Sequence, residues 1–138
     1  MKTIIIILTI FTNVFYQQTV TEKELLGTWT PTKAIGETNK PCDKNSPMVK
    51  DFKLKFLSSN NYEMIFNPGT LIKTTGKYTV DLKNKTIILT YKSGASSYNS
   101  KIPIITFTKD MLVIKYNLCA TYDTTSVVTG RLELKKTP

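Results

Sequence analysis

From residue 51 the chain alternates. "DFKLKFL" sets Phe52, Leu54 and Phe56 against Asp51, Lys53 and Lys55, a period of two that predicts a half-buried β-strand. "SSNN" supplies a turn and "YEMIF" the next strand, with Met64 or Ile65 facing inward. Beyond the "NPG" turn signal, "LIKTTGKYTVDL" puts Gly76, Tyr78 and Val80 on one face and Lys77, Thr79 and Asp81 on the other. "KNK" leads into the strand "TIILTYK", and "SGASSYNS" reads as a polar loop. "KIPIITF", the "TKD" turn and "MLVIKY" form a hairpin, and "TTSVVTGRLELKK" is the last strand. Upstream, "TEKELLG" predicts one helical turn, with Thr21 as cap, Glu24 at the capping-box spacing and Gly27 to close it. A strand starting near Trp29 brings the count to about eight.

Strands joined by tight turns are antiparallel neighbours. Closure of eight such strands removes the unpaired edges. The expected fold is therefore all-β: an eight-stranded antiparallel up-and-down β-barrel with a short N-terminal helical turn. Pro103, inside a strand, is expected at a bulge or where ladder pairing lapses.

The first residues do not fit this pattern. "MKTIIIILTIFTNVFYQQ" has one charge, at Lys2, and then an apolar run from Ile4 to Phe15. A membrane-spanning helix needs about 20 apolar residues, so the segment reads as a secretory signal peptide over residues 1–20, cut between Tyr16 and Thr21. Residues 21–138 form the single barrel domain. The expected location is periplasmic or secreted, with no stable membrane insertion after signal removal. Export gives the two cysteines a role: Cys42 and Cys119 can form a disulfide. Closing a loop of that length would contribute about 4–5 kcal/mol in the chain-entropy model.

The net charge of +9 adds little direction. Lys53, Lys55, Lys73, Lys77, Lys83, Lys85 and Lys92 are scattered singly, not blocked as in a nucleic-acid tail. Such a surface favours solubility and anionic partners. The chain has no histidine, which removes Ser-His-Asp triads, Cys-His pairs and most zinc sites. Asp51, Glu63, Asp81 and Glu133 fall on outward registers, and no Gly-rich phosphate loop is present. Neither an enzyme nor a cofactor is predicted.

Gly27-Thr28-Trp29, after one helical turn and at the start of the first strand, resembles the G-x-W signature of the lipocalins. Arg131, the sole arginine, lies in the last strand. The resemblance implies that Arg131 packs across Trp29 at the closed end of the barrel, a cation–π contact of about 0.5–2 kcal/mol. The ordered set that follows looks like the compact lipocalin-like domain proteins exported by bacteria, of the Bacteroidota type, with a calycin-like barrel. That set is a lone Cys after the first strand, an F-x-L-x-F strand, "GKYTVD", "TIILTY" and "TKDMLVIKY", and the likeness covers residues 22 to 136. The larger lipocalins carry a C-terminal helix for which this chain ends too soon.

Three functions fit a barrel of this kind. The first is a monomeric carrier that binds or sequesters a small apolar or amphipathic ligand. Its lining would come from Phe52, Leu54, Phe56, Tyr78, Leu89, Tyr91, Ile104 and Val113, with Val127 as a further inward position. The second is a protein-binding module, an inhibitor or assembly partner, whose barrel is filled by those same side chains. The third is a small nucleic-acid-binding barrel in which Tyr62, Phe66, Tyr78, Tyr91 and Tyr98 interleave with lysines. Export argues against the third, and no nucleic-acid partner is predicted. Eight strands leave room either for filling side chains or for one small ligand.

Overall fold

The computed structural model describes residues 21–36, 47–67, 69–81, 83–120 and 127–138. The predicted signal segment and Cys42 lie outside them. A one-turn helix, α1 (Glu22–Leu25), leads into eight strands: β1 (Gly27–Gly36), β2 (Lys53–Leu57), β3 (Asn61–Phe66), β4 (Ile72–Asp81), β5 (Thr86–Ser93), β6 (Ser96–Phe107), β7 (Met111–Ala120) and β8 (Val127–Thr137). Each pairs antiparallel with the next, and β8 returns to β1, so the sheet is a closed up-and-down barrel, as the alternation predicts. A second short helix, α2 (Pro47–Lys50), precedes β2; nothing in the sequence pattern signals it.

The inner face is apolar and continuous. Trp29, Leu54, Phe56, Tyr62, Tyr78, Ile87, Leu89, Leu112, Ile114, Leu132 and Leu134 are each at most 1 % exposed and belong to one core. Register accounts for this: Leu54 faces Trp29 and Met64, Tyr78 faces Leu89, and Leu112 faces Leu134, so the inward sets of neighbouring strands fall in rows.

Two seams of the barrel are short. Among the described residues β1 and β2 pair only at Gly27, Thr28 and Trp29, and β6 and β7 only at Ile104, Thr106 and Phe107. All six lie at the end of the barrel that α1 covers. Above these seams, among the described residues, the wall β2–β6 and the wall β7–β8–β1 are not laddered to each other. α2 lies against β7, β1 and β3, with Val49 3 % exposed in the core, so it packs on both walls. Pro103 is the last β6 residue before the ladder passes to β7 at Ile104, whose N–H instead donates to the Lys85 carbonyl at 2.7 Å. Pro103 itself pairs with Thr86, and the register shift of β6 against β7 falls just beyond it, between Ile104 and Thr106.

The polar stretch "SGASSYNS" is not a loop. β5 runs to Ser93, turns at Gly94, where φ is +61°, and β6 begins at Ser96. Tyr91 and Tyr98 stack across the hairpin at 5.5 Å, and Thr90 Oγ1 donates to Asn99 Oδ1 at 2.8 Å. These cross-strand pairs extend a ladder that composition alone reads as irregular.

Candidate functional site

The closed end is built from α1, Gly27, Trp29 and the end of β8. Thr21 N–H donates to Glu24 Oε2 at 3.1 Å, and Glu24 N–H donates to the Thr21 carbonyl at 2.9 Å, which holds the single turn together. The chain then swings from helix to strand at Gly27 with φ +126°, a conformation open in practice only to glycine. This places Trp29 beneath the barrel, where its Nε1 donates to the Leu25 carbonyl at 2.8 Å. The indole is fully buried and packs against Phe107 at 5.9 Å. In this cluster the glycine and the tryptophan of G-x-W each have a mechanical reason.

The cation on that indole is Lys136, not Arg131. Lys136 lies opposite Trp29 in the ladder, with Nζ 5.2 Å from the ring centroid. The same Nζ donates to the Glu24 carbonyl at 2.6 Å, and the lysine stem runs along Gly27, where a Cβ would come within 3.1 Å of Lys136 Cε. Arg131 is exposed and faces Ile35 and Lys115, five residues up β8, or about 17 Å at strand rise. The implied pairing is thus corrected: the closing strand supplies the cation from its end.

Of the candidate lining residues, Phe52, Leu54, Phe56, Tyr78 and Leu89 all lie in the core at no more than 1 % exposure. Within it Phe56 and Tyr78 meet edge to face at 4.8 Å, and Phe52 meets Tyr116 the same way at 4.8 Å. Tyr91 and Ile104 are partly buried and pack on that core. Of the two inward alternatives on β3, Met64 is the core residue. Val113 does not belong to the lining. It sits between Leu112 and Ile114, which both point inward, and its register partners are Thr106 and Glu133. It therefore faces outward, although only 7 % exposed. The side chains of Val127 and Cys119 lie outside the described residues.

Sequence reasoning missed Tyr116 as an interior group, and favoured Tyr62 as a core aromatic without placing it in the lining. Burial pushes the Tyr116 phenol up to about 12. It also raises Tyr62; the adjacent Thr74 hydroxyl acts the other way and Tyr91 adds to the rise. With Tyr62 and Tyr78 inside the barrel and Phe66 and Tyr91 packed on its core, these aromatics do not form an outer stacking platform. The carboxylates serve local structure. Glu63 pairs with Lys73 at 2.8 Å and is held below the usual carboxylate range by that contact. Asp81 is lowered by accepting from the Asn84 side chain at 2.7 Å, and Asp51 accepts from Asn67 at 2.8 Å.

The far end of the barrel has a different surface. Phe66, Tyr91 and Tyr116 are only partly covered. Around them Leu71 is 66 % exposed, Tyr98 48 % and Ile72 36 %. Tyr98, Ile72 and Tyr91 share the inner face with core residues, since Tyr98 faces Tyr91 and Ile72 faces Phe66. This end presents partly exposed aromatic and aliphatic groups on the inner face.

No protein-family model matches the chain, and no curated protein matches its sequence. Solved structures do. Insecticyanin from the tobacco hornworm Manduca sexta superposes with a TM-score of 0.55 at 12 % identity, covering 86 % of this chain and 65 % of its own. The chain thus spans just under two thirds of that protein's length. The bovine odorant-binding protein in complex with a selenium-containing odorant gives 0.49 at 14 % identity, covering 86 % and 74 %; the bovine lipocalin allergen Bos d 2 gives 0.49 at 13 %, covering 86 % and 76 %. With eight strands closed in sequence order over a G-x-W plug, the chain folds as a lipocalin-like domain.

Proposed function

We propose that this protein is an exported, monomeric binding protein that holds a small apolar or amphipathic molecule in the mouth of its barrel. The observation that carries this reading is the contrast between the two ends. At the plugged end the strands are laddered all round and the inward side chains pack about the fully buried Trp29. At the other end inward-facing Phe66, Tyr91, Tyr98 and Tyr116 are reached by solvent. An apolar concave surface with a few hydroxyls suits a ligand with an apolar body and one or two polar groups. Burial of that body would contribute about 25 cal/mol for each Å² of apolar surface removed from water.

A second reading keeps the barrel as a filled scaffold for protein binding. It is favoured by the five candidate residues that pack completely in the core. Tyr91→Ala separates the two. In a cup, the variant keeps its stability and loses uptake of a fluorescent apolar probe. If it instead loses about 3–5 kcal/mol, as for a core cavity, and the wild type takes up no probe, the barrel is filled and the carrier reading fails. N-terminal sequencing of protein recovered outside the producing cytoplasm tests export: a first residue between Gln17 and Thr21 is expected, and an intact Met1 would contradict it.

A further inference from the structure

Exposed apolar side chains and exposed cations meet at the end of the barrel opposite α1. Leu71, the most exposed large apolar side chain among the described residues, lies in the β3–β4 connection, and Ile72 opens β4. Tyr98 stands on the β5–β6 hairpin at the same end. The β3–β4 connection is braced: Gly69 N–H donates to Asn67 Oδ1 at 3.1 Å, and Asn67 Nδ2 donates to Asp51 Oδ2 at 2.8 Å. Exposed apolar groups gathered at one place, unlike those scattered singly, mark a contact surface. The cations stand around them. Lys53 and Lys73 flank Ile65 in the ladder, one position in from the Phe66–Ile72 pair. Lys92 faces Ser97, next to the Tyr91–Tyr98 pair, and Lys50 ends α2 just before β2. All four lysines are exposed. No exposed carboxylate stands at this end among the described residues: Asp51 and Glu63 are half-buried, one accepting from Asn67 and the other paired with Lys73. The plugged end differs. Leu26, Ile105 and Met111 are exposed there, each less than Leu71 or Tyr98, and the exposed Asp110 precedes Met111.

A soluble polyanion would engage the lysines and leave Leu71 and Ile72 in water. An apolar protein surface would cover those two and leave the ammonium groups without counter-charge. The surface of an anionic bilayer serves both, since its phosphates lie above a boundary that accepts apolar and phenolic groups. We infer that this end docks reversibly on an anionic lipid bilayer. Leu71, Ile72 and Tyr98 enter the boundary between headgroups and acyl chains. Lys50, Lys53 and Lys92, which make no salt bridge among the described residues, meet lipid phosphates. The docking goes beyond the cup reading and does not require the barrel to be open.

Vesicles of phosphatidylcholine with about a quarter phosphatidylglycerol, carrying brominated acyl chains as quenchers, test this on the full-length protein. The apolar run from Ile4 to Phe15 is common to every variant, so the readout is local. Leu71→Trp and Tyr98→Trp each place an indole at the rim, and Met111→Trp places one at the plugged end; the buried Trp29 is the shared background. The two rim indoles should lose fluorescence to the brominated chains, and the indole at position 111 should not. Lys53→Gln and Lys92→Gln, each combined with Leu71→Trp, should raise the lipid concentration for half-quenching roughly fivefold. About 1 M salt should remove the preference over pure phosphatidylcholine. Because the two rim positions are probed separately, the test stands even if one substitution misfolds. No quenching at a folded rim variant, or equal quenching at position 111, overturns the docking. Equal quenching on pure phosphatidylcholine overturns the anionic preference. Vesicle binding that depends on Lys53 without rim quenching is a contact through charge alone and overturns the docking as well. Uptake of an apolar probe in the absence of vesicles judges the cup separately from all of these.

Discussion

Lys136→Met is the sharpest probe of how the barrel is plugged. Methionine keeps most of the stem that runs beside Gly27 and removes only the ammonium. Two interactions go with it: the approach to the Trp29 ring at 5.2 Å and the 2.6 Å hydrogen bond to the Glu24 carbonyl. A partly desolvated cation–π contact is worth about 0.5–2 kcal/mol, and a hydrogen bond from a charged donor about 1.5–3 kcal/mol. Relief of ammonium desolvation offsets part of that sum. A net loss of about 1–3 kcal/mol is expected, with Tm falling by roughly 4 °C for each kcal/mol. Urea unfolding followed by Trp29 fluorescence would read it as a lower midpoint at constant slope. Arg131→Ala is the control. Its side chain is exposed and remote from the indole, so it should stay within about 0.5 kcal/mol of wild type. If Lys136→Met is neutral, or Arg131→Ala costs as much, the plug does not depend on Lys136 and the reasoning fails.

Three further outcomes follow from the geometry. Gly76→Ala should cost about 2–4 kcal/mol, because the added carbon would sit 2.0 Å from the Thr90 carbonyl oxygen; thermal unfolding within a degree of wild type would refute the close β4–β5 approach. Tyr116, pushed up to about 12 from an ordinary value near 10, gives stability that is full below pH 10 and is lost as pH rises through 12. Across that window it should account for about 1.4 kcal/mol per pH unit, so Tyr116→Phe should flatten the alkaline limb, and parallel limbs would show that the phenol ionises freely in the fold. A Cys42–Cys119 disulfide, expected if the chain is exported, would be tested by alkylating the unreduced protein before intact-mass measurement; no mass gain is expected, and two added alkyl groups would exclude the bond.

How far the fold was legible depended on how cleanly polar and apolar positions alternate. "DFKLKFL" and "GKYTVD" interleave charge with hydrophobe, and their inward sets, Leu54 and Phe56, then Tyr78 and Val80, are those of the structure. "MLVIKY" opens with a continuous apolar run, which has no period to read, so the inward assignment slipped by one residue to Val113. Tyr98 hid in a polar stretch because a hairpin near a mouth can afford serines where a core strand cannot. Lys136 was illegible for another reason. In "LELKK" it looks like a solvated terminal charge, and only the register that sets it against Trp29 reveals its place. The proximity of Tyr62 and Thr74 likewise exists only once β3 and β4 are in register.

The short seams also bear on how the chain reaches its native state. β3, β4 and β5 are joined by tight turns, so their contacts close loops of only a few residues. The β1–β8 ladder, from Thr28–Thr137 to Gly36–Gly130, joins the two ends of the domain, and its loop-closure entropy is larger by (3/2)RT times the logarithm of the length ratio. With only three laddered positions at each seam among the described residues to tie one wall to the other, the local meander has little need of its opposite wall to form. Folding should therefore begin in β3–β5 and finish when β8 captures β1. Mutations in the β3–β4 and β4–β5 hairpins would slow refolding, while Lys136→Met would act almost wholly on the unfolding rate; a refolding rate that drops with Lys136→Met would mean that the ends of the chain meet early.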